Sequence, residues 1–202
     1  MNAKHSKGLA HALFLLLSML CSTVRATTKD STYVMPPRSL YGELGGPGWG
    51  LSANWDARFK TASPFGYRIG LSWAGRWDNT MDIHTHTMYY GLTTGVNYLI
   101  GKRKSKLELG AGNHLRLISS KLAYASYIDL TGDINIQTKN KTQVRDFLYM
   151  NVGYRYTSTH GFQFRCGLTP MVNITNGWTD SNDSYSKGAL FLAPYVSFGK
   201  AF

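Results

Sequence analysis

From residue 40 onward the chain repeats one pattern: apolar and polar residues alternate over segments of about ten residues. Alternate side chains of an extended strand project to opposite faces, so a period of two specifies strands and excludes amphipathic helices. In "LSANWDARF" the residues Leu51, Ala53, Trp55, Ala57 and Phe59 share one face, and Ser52, Asn54, Asp56 and Arg58 share the other. "FGYRIGLSWAG", "MYYGLTTGVNYLI", "LELGAGNHLRL", "LYMNVGYRY", "FQFRCGLTP" and "FLAPYVSFGKAF" repeat the arrangement, and "LYGELG" begins it. Each is about the nine to eleven residues that a tilted strand needs to cross a bilayer.

The connectors between these segments alternate in length. "KTAS", "GKRKS" and "TSTHG" are short, whereas residues 76–86, 119–143 and 171–188 are long and polar. Short turns at one end and long loops at the other describe an all-β, eight-stranded antiparallel up-and-down transmembrane barrel, with both chain ends at the short-turn end. Twenty-one Gly and 13% aromatic residues agree with strands and tight turns.

Ahead of the barrel, Lys4 and Lys7 precede an apolar run from Leu9 to Leu20, and "VRA" ends at Ala26. Residues 1–26 therefore read as a cleaved signal peptide, 27–37 as a flexible lead and 38–202 as the barrel. Cleavage removes Lys4, Lys7 and Arg25 and no acid, so the net charge of +11 falls to +8. It also leaves Cys166 as the sole cysteine, which excludes a disulfide framework.

Three observations decide which face is outside. Gly66, Gly70, Gly91, Gly95, Gly110, Gly112, Gly153, Gly167 and Gly199 share parity with the charged residues of their strands, as a crowded lumen requires. The apolar face is almost free of charge, and a Lys or Arg at the midplane of a lipid-facing strand costs about 2 to 4 kcal/mol. The exception, Lys200, lies near a strand end where it can snorkel. Aromatic residues gather at the strand ends: Phe59, Tyr98, Tyr156, Phe162 and Phe202 at one rim, Trp73, Trp77 and Tyr90 toward the other. The lumen is then expected to hold Glu43, Asp56 and Glu108 with Arg58, Arg68, Arg116, Arg155 and Arg165, ion-paired across the axis, and His114 as a hydrogen-bonding group. Arginines outnumber carboxylates in that set, which calls for water or a loop carboxylate.

Motifs for chemistry are sparse. "GKRKSK" fails as a phosphate loop because Val96 occupies the first glycine position and Arg103 replaces the hydroxyl residue. It reads instead as a hairpin turn whose cations, with Lys60, Arg103, Lys104 and Lys200 at one rim, meet lipid phosphates. His84 and His86 in "DIHTHT" read as a loop pair rather than metal ligands, because no third ligand is near. His114, Glu108, Ser72 and Ser197 share the lumen face, but no local pattern makes them a catalytic set.

"YGELGGPGWGLSANWDARF", "VNYLIGKRKSKLELGAG", "LYMNVGYRYTSTHGFQFRCGLTP" and the ending "SFGKAF" resemble the small outer-membrane β-barrel proteins of Bacteroidetes, in which "GLNYLLGK", "ELG.G", "GYRYQ...GGFFFRAGFTP" and a terminal aromatic recur. The resemblance covers residues 40–202 and departs at Cys166, where Ala is common, and at Lys200, where an aromatic is usual. It implies an outer-membrane barrel of a Gram-negative bacterium, with Phe202 as the signal read by the barrel-insertion machinery. The expected function is a monomeric, non-enzymatic surface or envelope protein whose extracellular loops engage an external partner, with membrane lipid around it, no cofactor and no nucleic acid. The alternatives are a membrane-embedded lipid-modifying hydrolase and a soluble lipocalin-like ligand-binding barrel.

Overall fold

A computed structural model of the chain describes the backbone of residues 36–61, 63–80, 83–101, 103–128, 134–175 and 187–202, and the side chains of these except 78–80, 83–85, 122–128 and 134–139. The expected signal peptide and most of the lead lie outside these residues. Eight antiparallel strands close on themselves in sequence order: β1 (Arg38–Gly45), β2 (Gly50–Arg58), β3 (Phe65–Thr80), β4 (Ile83–Ile100), β5 (Ser105–Ile128), β6 (Ile134–Thr157), β7 (Phe162–Asn173) and β8 (Leu190–Ala201). The seam between β1 and β8 runs from Ser39 opposite Ala201 to Gly45 opposite Tyr195. Backbone bonds between Arg38 and Phe202 extend it by one pair.

The alternation in the sequence maps onto the two faces of this wall. Leu71, Met150 and Leu192 are 64%, 61% and 63% exposed, and the outward rows of every strand are dominated by such residues. Glu43, Asp56, Arg68, Glu108, Arg155 and Arg165 face inward and are buried. The lumen is filled: where Gly95 and Gly153 remove a side chain, the hydroxyls of Tyr149 and Tyr195 take the space that a Cβ would occupy.

Two of the long connectors expected from the sequence are strand instead. β3 and β4 stay paired from Phe65 opposite Tyr98 to Thr80 opposite Ile83, so residues 76–80 and 83–86 are paired strand. β5 and β6 stay paired out to Ile128 opposite Ile134, with one register shift between Ala125 and Tyr127. "INIQTKNKTQV" is rich in β-branched residues, which favour strand, so pairing continues where polarity alone suggested a loop. β7 pairs with β6 only up to Asn173 opposite Phe147, and β2 with β3 only up to Leu51 opposite Trp73. The wall built by β3 to β6 therefore stands taller than the opposite side. The ladder between β6 and β7 lapses around Pro170, which has no N–H to donate.

The short turns fall where the sequence placed them. "GKRKSK" rounds the corner from β4 to β5, with Gly101 at φ 127° and Lys106 Nζ donating to the Gly101 carbonyl at 2.8 Å. At the other end the β1–β2 connection turns inward. Gly46, Pro47 and Gly48 form a buried 3-10 turn that closes the mouth of the lumen between the walls.

Entry into that turn depends on Gly45, whose φ of 81° and ψ of −141° suit glycine and strain other residues. A Cβ there would also strike the Pro194 carbonyl. Gly45→Ala is expected to lower stability by roughly 2 to 4 kcal/mol in urea unfolding from detergent micelles followed by tryptophan fluorescence. Gly42→Ala, whose Cβ would meet nothing closer than 4.0 Å, should change it by less than about 0.5 kcal/mol.

Candidate functional site

The polar lumen is the one place where many functional side chains converge. Strand parity delivers Asp56 and Arg58 from β2, Glu108 from β5, Arg155 from β6 and Arg165 from β7 to the same level near the short turns. Arg155 forks onto both acids. Its NH1 and NH2 donate to Asp56 at 3.1 and 2.8 Å, and its Nε and NH2 donate to Glu108 at 2.8 and 3.1 Å. Arg165 grips the same Glu108, with Nε donating at 2.9 Å and NH2 donating to the second carboxylate oxygen. Arg58 NH2 donates to Asp56 at 2.6 Å and its NH1 to the Pro64 carbonyl at 3.0 Å. Asn97 bridges Arg58 and Asp56. β2 and β6 face each other across an eight-stranded ring, so these bonds tie opposite walls together.

A second pair lies farther along the axis. Arg68 NH2 donates to Glu43 at 2.7 Å and to Asn54 Oδ1 at 3.0 Å, and its guanidinium stands over the rings of Tyr41 and Tyr149 at 5.9 and 5.8 Å. Arg165 also covers Tyr41, at 4.1 Å. Beyond it, Arg116 is held between Trp49 at 5.1 Å and Phe147 at 4.7 Å, with NH2 donating to the Pro47 carbonyl at 3.4 Å. The excess of arginine over carboxylate is thus met in part by aromatic faces, which attract cations through the ring quadrupole. The expectation of water or a loop carboxylate did not include this solution.

His114 is fully buried, and its Nδ1 lies 2.9 Å from Thr93 Oγ1. Its bonded neighbour is therefore a threonine, not Ser72 and not a carboxylate. His86 sits within β4 opposite Trp77, their rings 5.3 Å apart, so "IHTHT" is strand rather than loop; Asp82 and the His84 side chain lie outside the described residues. Among the described residues no three His, Cys, Asp or Glu are placed to hold a metal ion. Phe202 is 54% exposed and meets Trp55 edge-on at 5.7 Å.

Sequence reasoning missed several lumen residues. Arg145 is buried on the inner face of β6, in phase with Tyr149 and Arg155, and that phase was a usable signal. Trp49 and the Gly46–Gly48 turn carried no such signal, because glycine and proline read equally well as an outward exit.

No family model matches the chain, and comparison with curated proteins finds no match. Among solved structures the chain is similar to Neisserial surface protein A, at 14% identity and a TM-score of 0.43, over 82% of this chain and 94% of that one. It is similar to Ail, the attachment invasion locus protein of Yersinia pestis, at 10% identity and a TM-score of 0.44, over 83% and 98%. Acinetobacter baumannii CarO gives 10% identity and a TM-score of 0.40, over 86% and 100%. At identities and scores this low the likenesses carry no functional argument.

Because Glu108 serves two guanidinium groups, Glu108→Gln should cost about 3 to 5 kcal/mol of unfolding free energy. Glu43→Gln should cost less, roughly 1 to 3 kcal/mol, since Arg68 keeps Asn54 and two rings. Urea unfolding of the two variants side by side checks the order, and the reverse order would remove Glu108 from the centre of the network.

Proposed function

We propose that the chain is an integral outer-membrane protein with a sealed lumen, anchored by its barrel and acting through the tall β3–β6 side at the cell surface. The carrying observation is the outer wall: among the described residues, large hydrophobic side chains are exposed along the outward rows of all eight strands. A water-soluble protein rarely exposes a contiguous apolar surface of that extent, whereas hydrocarbon solvates it. Phe59, Phe65, Tyr98, Phe162 and Phe202 at one rim and Trp73, Trp77 and Tyr90 toward the other supply two interfacial girdles. By the length rule for such barrels the short turns face the periplasm. The resemblance of residues 40–202 to Bacteroidetes outer-membrane barrels, the leader at residues 1–26 and the terminal aromatic Phe202 support export and insertion by the same route.

A soluble ligand-carrying barrel needs an apolar interior, and this interior is lined by Glu43, Asp56, Glu108 and six arginines. A lipid hydrolase needs a histidine that substrate can reach; His114 is 0% exposed and bonded to Thr93. The role is accordingly non-enzymatic, with the surface hairpins as the contact for an external partner. Closure leaves no free edge strand, so a monomer is complete.

The protein is expected to remain with the outer-membrane fraction after carbonate washing, and recovery in the soluble periplasm would overturn the assignment. In planar bilayers it should give no steady solute-sized conductance; an open-channel current that persists across voltages would contradict the sealed lumen.

A further inference from the structure

At the short-turn rim the exposed side-chain charges among the described residues are all positive. Arg38, Lys60, Arg103 and Lys200 are exposed there, and no Asp or Glu occurs in the sequence of the three short turns or beside the Arg38–Phe202 seam. One part of this rim is shaped. Between the β2–β3 turn and the seam lies a cleft of about 410 Å³ lined by Arg38, Arg58, Phe59, Lys60, Thr61 and Phe202, together with Pro37. Arg58 forms its base and is already engaged by Asp56, Asn97 and the Pro64 carbonyl. Arg38 and Lys60 also line it, and among the described residues neither side chain has an Asp or Glu carboxylate within 4.0 Å; the carboxylate of Phe202 lies beside Arg38 and accepts from its backbone N–H at 3.1 Å. Phe59 and Phe202 are 58% and 54% exposed on the outer face of the same cleft.

We infer that this cleft is a headgroup site for an anionic phospholipid of the inner leaflet, a step that rests on the outer-membrane reading above. The chemistry recognised is a phosphate monoanion held between Arg38 and Lys60, with Thr61 at its edge. The two phenylalanine rings provide what a soluble anion cannot use, an apolar surface continuous with the barrel wall along which the acyl chains descend. A headgroup carrying its own ammonium would add a cation to a cleft where Arg38, Arg58 and Lys60 already outnumber the one carboxylate of Phe202. The site therefore selects phosphatidylglycerol over phosphatidylethanolamine. The other rim cations, Arg103 and Lys104, lie on the β4–β5 turn and have no part in the cleft.

Native mass spectrometry of the full barrel released from micelles titrated with each lipid reads this directly. The expected result is one retained phosphatidylglycerol, preferred over phosphatidylethanolamine, with its affinity reduced roughly 10- to 30-fold by the double variant Arg38→Gln/Lys60→Gln. Arg103→Gln/Lys104→Gln, both exposed or half-buried turn residues, should change it by less than about 2-fold. Equal losses in the two double variants would replace the site with a diffuse collar of charge and overturn the inference. Displacement of the lipid by millimolar inorganic phosphate would overturn it in favour of a plain anion site. A barrel that enters neutral vesicles yet shows no preference for phosphatidylglycerol refutes this inference alone. One that enters neither neutral nor anionic vesicles takes the outer-membrane reading with it.

Discussion

The forked contacts of Arg155 with Asp56 and Glu108 set the terms for the rest of the molecule. Five ions inside a barrel this narrow would each be strongly destabilising if left alone, because an isolated buried charge loses several kilocalories of hydration. Here every carboxylate oxygen of Asp56 and Glu108 accepts from an arginine, with Arg165 NH1 left over, and the partners come from β2, β5, β6 and β7. The bonds can form only if the walls stand at one separation and one register. A one-residue slip of any of these strands would turn its charged residue outward and leave its partners unmatched. The network therefore specifies register as well as filling space.

Along the axis the interior changes character in layers. The ionic group near the short turns gives way to Arg68 among Tyr41, Tyr149 and Asn54, then to Arg116 stacked between Trp49 and Phe147 under the buried turn. Phe147, Tyr149 and Met171 form a small apolar cluster there, with Phe191 and Ala193 against it. Trp49 joins this layer through its Nε1, which donates to Met171 Sδ at 3.1 Å, and through an edge contact with Phe191. The polar lumen is thus stoppered at the tall end by a conventional packed core.

Where the sequence was legible, it was legible because the inside and the outside of a closed barrel impose opposite demands on alternate residues. Leu107, Leu109, Leu115 and Leu117 against Glu108, His114 and Arg116 in β5 could be assigned to faces without any knowledge of partners. Pairings were harder. That Asp56 meets Arg155, ninety-nine positions away, depends on ring size and stagger, which a single sequence does not display. The extended hairpins were misread because their polar sequences carry no apolar alternation to mark them as strand. The inward β1–β2 turn was missed for a different reason: its conformation is specified by backbone dihedrals at Gly45 and Gly46, and its destination by the space between Ser72, Glu43 and Tyr195.

The β5–β6 ribbon is continuous with two strands of the wall, and that continuity governs how it bears load. A pull along its length passes into residues 107–121 of β5 and 147–157 of β6, whose inter-strand bonds to β4 and β7 run perpendicular to the force. Those ladders are strained in shear, all rungs together, instead of being unzipped one rung at a time. The ribbon is mechanically a lever rooted in the barrel, its load shared across both ladders at once.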